Sequence, residues 1–124
     1  MSIPKPLGAV LFLAACSPAA PDLTGAQLFQ ANCARCHGAD ARGGAAYGAP
    51  DLTTLAARNG GVFPAEYVMS TIDGLERENT HDKMPIFGEI LQSDMEIWID
   101  PNGVPTPTPG ALIRLAEYLE GVQR

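Results

Sequence analysis

Three residues within five, Cys33, Cys36 and His37 in "NCARCHG", bring two nucleophilic sulfurs and one imidazole together. Positions i and i+3 of a helix project to the same side, so both thiols can address one object, with the imidazole next to it. Zinc needs four ligands, usually from a second Cys or His pair. Here the third cysteine is Cys16, inside an apolar N-terminal segment, and the other histidine is His81. A thioredoxin-type dithiol needs a preceding strand and a βαβ pattern, and neither is written in this chain. A disulfide between Cys33 and Cys36 would leave His37 without a role.

The remaining chemistry uses all three residues. C-x-x-C-H is the attachment signature of a c-type haem. Each thiol forms a thioether with one vinyl group of the same ring, and the adjacent histidine ligates the iron. A second axial ligand must come from distant sequence, because a helix cannot fold back on itself. The candidates are Met69, Met84, Met95 and His81. Met84 is the best placed. It stands in "KMPIFG", in a loop, before Pro85, which stiffens the backbone, and a Met/His pair raises the haem potential. Met69 falls within a helix and reads as a core filler; Met95 does so less clearly. His81, three residues before Met84, keeps a bis-His or switchable site as the alternative to a solvated histidine among Thr80, Asp82 and Lys83.

Three helices must position these groups. The first opens at Thr24, where Gln27 completes a capping box, and stops at Gly38. The second runs from Pro64, suited to a first helical position, to Gly74, suited to a C-terminal cap; Tyr67, Val68, Thr71, Ile72 and Leu75 form its apolar stripe. The third follows Thr108 as cap and Pro109 as opener, with Leu112, Leu115, Ala116 and Leu119 on one face and Arg114, Glu117 and Arg124 off it. The glycine-rich stretch 38–61 is too broken for long elements, with a short helical turn near Leu52 to Arg58. "EIWID" has strand propensity and can pair across "PNG" as a small hairpin.

The chain of 124 residues suits one domain, and its net charge of −6 with no Lys/Arg run excludes nucleic acid as a partner. Lys5 precedes the apolar run Leu7 to Ala15, too short for a bilayer core of ~30 Å but of the length of a secretory signal. Residues 1–15 therefore read as a signal peptide. "LAAC" resembles a bacterial lipoprotein cleavage box, which makes Cys16 the lipidated first residue of the mature protein and 16–23 a tether; ordinary cleavage near "SPAA" is the rival. The expected location is the periplasmic side, anchored by lipid to a bacterial membrane. The remaining domain, residues 24–124, is near the size at which a small core gains from a cofactor.

Several motifs in order resemble the class I c-type cytochromes: "GAQLF", "CARCHG", "GAPDL", "MPIFG" and "LAEYL". The resemblance covers about residues 24 to 121. It implies an all-α cytochrome c fold, three main helices and long loops wrapped around one covalent haem c. It also implies that the Pro50 carbonyl accepts the Nδ1–H of His37, orienting the ring, and that Leu115 and Tyr118 cross the first helix near Gly25. The cofactor-binding set is then Cys33, Cys36, His37, Met84 and Pro50, with His37 and Met84 on the iron. Leu28, Phe29, Leu52, Ile72, Phe87 and Leu119 are expected to wall the haem from water. "EIWIDPNGVPTPTP" departs from the family, whose distal methionine loop runs almost directly into the last helix. Tyr47, Arg42 and Trp98 are candidates for propionate contacts. The implied activity is one-electron transfer by iron cycling between ferric and ferrous states, as a monomer with a redox donor and acceptor and no catalytic site of its own. The alternatives are a haem subunit of a larger oxidoreductase and a haem sensor with a labile sixth ligand.

Overall fold

Thr24 starts the fold. Its hydroxyl accepts the Gln27 N–H at 3.2 Å, while the Gln27 side chain accepts the Thr24 N–H at 2.9 Å. The capping box read from the sequence is thus formed, and it opens helix α1, Gly25–Asn32. The computed structural model describes residues 1, 21–44, 46–75 and 83–124. The signal peptide, Cys16 and His81 lie outside the described residues.

The first helix is not one rod. It breaks at Cys33 (φ −114°, ψ −36°) and resumes as α2, Ala34–His37. The break is slight, because Cys33 N–H still bonds Phe29 O and His37 N–H bonds Cys33 O. Gly38, at φ +79°, ends it as expected. A 3-10 turn, Leu52–Thr54, and α3, Leu55–Arg58, supply the short helical turn expected there. Helix α4 spans Ala65–Asp73 and closes on a left-handed Gly74. Pro64 stands one residue earlier than expected, at the cap, and Glu66 supplies negative charge to the first turn. On the expected stripe Val68, Thr71 and Ile72 are buried, whereas Tyr67 and Leu75 are exposed; buried Met69 joins the core instead.

The all-α expectation needs correction. Strands β1, Met95–Ile99, and β2, Pro105–Pro109, form an antiparallel hairpin, Met95 opposite Pro109 and Ile99 opposite Pro105. Asp100 builds the turn, its carboxylate accepting the N–H groups of Asn102 and Val104, both at 2.8 Å. The fold is a helical arrangement with this small sheet added. Helix α5, Gly110–Gly121, follows immediately. Thr108 does not cap it: that residue belongs to β2, and its hydroxyl donates to Thr106 O. The cap comes from Ser93, whose Oγ accepts the Ala111 N–H at 3.0 Å, while Gly110 N–H bonds Asp94 O. The base of the hairpin therefore closes onto the start of α5 and meets two of the donors that every helix N-terminus leaves open.

Helix α5 packs on both α1 and α4. Phe29 and Leu115 are fully buried between these helices, and Phe29 stacks obliquely on Tyr118 with centroids 5.2 Å apart. The expected crossing near Gly25 is present and tight: a Cβ at position 25 would collide with the Arg114 carbonyl and the Tyr118 side chain. The end of the expected tether is also pinned, since Arg114 donates to Leu23 O at 3.0 Å and approaches Asp22 at 3.7 Å. Among the described residues no helix is long and apolar enough to cross a membrane.

Substituting Gly25→Ala forces α1 away from α5. Overpacking of this kind costs about 1–3 kcal/mol, so the haem-loaded variant should show a lower urea midpoint at unchanged m-value. An unaltered midpoint would mean that the crossing relaxes freely.

Candidate functional site

Residues 38–52 fold back onto the end of α2. Gly43 N–H bonds His37 O at 2.7 Å, Gly44 N–H bonds Ala49 O at 2.9 Å, and Leu52 N–H bonds Ala41 O at 2.8 Å. Gly43, at φ +78°, lies so close to Ala49 and Pro50 that any side chain there would strike their backbone. Ala41 is buried and holds a left-handed φ of +61°, a strain tolerated only where neighbours enforce it. This folding brings the Pro50 carbonyl to 3.1 Å from His37 Nδ1. A carbonyl can only accept, so Nδ1 carries the proton and Nε2 keeps the lone pair that a metal uses.

His37 is buried at the wall of a cavity of about 1150 Å³, a size at the upper end of small-molecule pockets (~300–1,000 Å³). Cys33, Cys36, Pro50 and Met84 line the same cavity. All five residues of the expected cofactor set therefore converge on one space, although 34 positions separate Pro50 from Met84. Met84 reaches it because the segment behind it is fastened to α4: Phe87 N–H bonds Ile72 O at 3.0 Å, and Gly88 N–H bonds Asp73 O at 3.2 Å. Of the rival methionines, Met69 is buried on α4 and Met95 lies on β1, and both line a smaller cavity of about 400 Å³.

Among the expected apolar wall residues, Phe29, Leu52, Ile72, Phe87 and Leu119 line the large cavity; Leu28 is buried in the core instead. Of the propionate candidates only Tyr47 lines it. Trp98 faces the smaller cavity, because the hairpin carries it to the far side of α4. Arg42 lies at the surface, 3.7 Å from Asp40. The basic side chains on the cavity are Arg35, Arg58 and Lys83, and no acidic residue lines it among the described residues. An acidic chain thus surrounds a cavity with an apolar interior and cationic groups, a combination that fits a flat hydrophobic ring bearing carboxylates. Sequence reasoning missed Arg58, whose only hint was its place in the short helical turn 52–58.

No disulfide joins Cys33 and Cys36. Burial, and secondarily the neighbouring Cys36, raise the Cys33 thiol from 9.0 to about 11. No cluster of three or more His, Cys, Asp or Glu side chains suited to a metal ion occurs among the described residues.

The family model for cytochrome c matches residues 23–98. With the C-x-x-C-H segment, the proline carbonyl and the cavity assembled in this way, the chain belongs to the cytochrome c family, haem-binding electron carriers with a covalent haem c and its iron. No curated protein and no solved structure matched the chain. The matched span ends within β1, so the rest of the hairpin and all of α5 lie beyond it.

The residue after Pro50 offers a pH test. Hydrogen bonding from the Thr53 hydroxyl above all, then from the Thr53 N–H and the Arg124 guanidinium, lowers the Asp51 carboxyl from 3.8 to about 2. Because the folded value is depressed, its stabilisation is complete above the ordinary value and is lost as pH falls through about 2. Asp51→Asn should lower Tm at pH 6, and the gap to the parent should close between about pH 4 and pH 2. A gap that persists at pH 2 would mean that the carboxylate is not the source.

Proposed function

We propose that this chain is a one-electron carrier with a single haem c bonded through Cys33 and Cys36 and ligated by His37 and Met84. The observation that carries the reading is the convergence of His37, oriented through Nδ1 by Pro50 O, and Met84 on one apolar cavity with cationic lining. When bound, the haem supplies a reversible ferric/ferrous couple. The chain's own residues do the rest. Pro50 fixes the imidazole tautomer and makes the ligand more basic. Phe29, Leu52, Ile72, Phe87 and Leu119 keep water from the ring and lower the local dielectric. Arg35, Arg58 and Lys83 are available to neutralise carboxylates. We further propose export through the segment 1–15 and anchoring at Cys16 on the periplasmic side of a bacterial membrane, with residues 16–23 as a short tether. The chain then needs no catalytic site of its own, only a redox donor and acceptor.

A second reading, a haem subunit of a larger oxidoreductase, is favoured by the hairpin. Met95, Ile97 and Ile99 alternate along β1 with 60%, 64% and 55% of their surface exposed, an apolar row typical of an interface. Isolation of the protein from membranes separates the two: a carrier purifies alone, whereas a subunit brings stoichiometric partners.

Met84→Ala should lower the reduction potential and let carbon monoxide bind the ferrous protein, which the parent excludes. Visible spectra with and without carbon monoxide read this directly. Unchanged potential and carbon monoxide exclusion in the variant would remove Met84 from the iron.

A further inference from the structure

The last two residues of the chain reach back across the fold to the loop that carries Pro50. Arg124 donates from Nη2 to Asp51 Oδ2 at 2.8 Å, from Nε to Thr53 Oγ1 at 2.8 Å and from its backbone N–H to Thr53 O at 3.0 Å. Gln123 donates from Nε2 to Leu52 O at 2.8 Å, and its Oε1 accepts the Ala56 N–H at 2.9 Å. Thr53, at the centre, is 3% exposed, so the bonds to it are partly shielded from water, whereas the Arg124–Asp51 pair lies at the surface.

The geometry matters because of what the next peptide does. The Pro50 carbonyl and the Asp51 N–H share one rigid peptide plane that ends at the Asp51 Cα, so contacts that hold Asp51 restrict how far that carbonyl can swing. Arg124 grips the Asp51 side chain, and Arg58 Nη2 donates to Asp51 O at 2.7 Å. On the other flank Gly43 packs against Ala49 and Pro50. The carbonyl that receives His37 Nδ1–H is therefore held from behind by the chain terminus.

We propose that Gln123 and Arg124 are positioning residues for His37: they keep the Pro50 carbonyl on Nδ1 and thereby set how strongly the imidazole donates to iron. The proposal rests on the reading of His37 as an iron ligand. A hydrogen bond from the far ring nitrogen raises ligand basicity, and a more basic ligand favours the ferric state. Releasing the terminus weakens that bond and shifts the couple toward ferrous. Both residues lie outside the span 23–98 matched by the family model.

The test uses the haem-loaded full-length protein. The variants are Gln123→Ala, Arg124→Ala, their combination and Arg124→Lys. Arg114→Ala serves as a control that cuts ties to Leu23 and Glu96 instead. Potentials are read by redox titration, and the His37 Nδ1–H exchange rate by NMR in the ferrous state. The double variant should shift the ferrous-to-ferric ratio at fixed ambient potential about tenfold toward ferrous, which is 59 mV for one electron. Nδ1–H exchange should quicken, the single variants should move less in the same direction, and Arg124→Lys should recover part of the loss. Arg114→Ala should lower Tm and leave the potential alone. Should the tail variants lower Tm with potential and exchange unchanged, the tail is structural only and the proposal fails. If the double variant does not fold, Gln123→Ala and Arg124→Lys decide by the same two readouts. His37→Ala separates the two levels. A low-spin spectrum that survives it overturns the ligation reading and this proposal together. A low-spin spectrum lost in His37→Ala, with tail variants at the parent potential, overturns the tail alone.

Discussion

Helices α1 and α5 approach more closely than any side chain at position 25 would permit, and the rest of the molecule is arranged around that contact. Because Gly25 presents only backbone to Arg114 and Tyr118, the two helix axes can cross with Phe29 and Leu115 sealed between them. The consequences run both ways along the chain. Toward the C-terminal end of α1, the crossing fixes the direction in which Cys33, Cys36 and His37 emerge. Toward the C-terminal end of α5, it delivers Gln123 and Arg124 to the segment beside Pro50. One steric condition thus positions both the histidine and the tail that holds its hydrogen-bond acceptor.

Charge is divided between the two cavities of this fold. The chain is acidic overall, yet among the described residues the large cavity is lined by Arg35, Arg58 and Lys83 without a carboxylate, whereas Glu66, Asp73 and Asp100 border the smaller one. Helix α4 contributes to both: Val68, Thr71 and Ile72 face the cofactor cavity, and Met69, Ser70 and Asp73 face the other. Such a division follows from the requirements of the two spaces. A cavity that takes up a ring with carboxylates is stabilised by cations at its margin, and acidic side chains there would oppose it.

The hairpin is added to the helical frame with the outer edge of β2 closed to chance pairing. Pro105, Pro107 and Pro109 occupy alternate positions of β2, so the N–H groups that would point away from β1 are missing, while Thr106 and Thr108 face their partners Trp98 and Glu96. An edge without donors is a poor template for a further strand. The hairpin is tied to the frame by the Glu96–Arg114 pair at 2.8 Å and by Ser93 at the start of α5. Arg114 in turn holds Leu23, so the hairpin, the last helix and the chain entering α1 meet at one guanidinium.

The parts of this protein that the sequence alone determined are those whose physical cause spans a few residues. The C-x-x-C-H set, the Thr24–Gln27 cap, the left-handed Gly38 and Gly74, and the hairpin turn at Asp100 to Gly103 each follow from neighbours along the chain. Pro50 was legible only through resemblance, since nothing local distinguishes one proline carbonyl from another, whereas Met84 stood out by its place in a loop before Pro85. What the tertiary structure decided has the opposite character. Ser93 caps a helix 18 residues away, Arg124 binds Asp51 across 73, Arg58 reaches the cavity in place of Arg42, and Trp98 turns to the other side of α4. Each depends on which loops are brought face to face. That is set by the helix crossing and by the burial of Phe29 and Leu115, a packing outcome summed over the whole chain that no short stretch of sequence encodes.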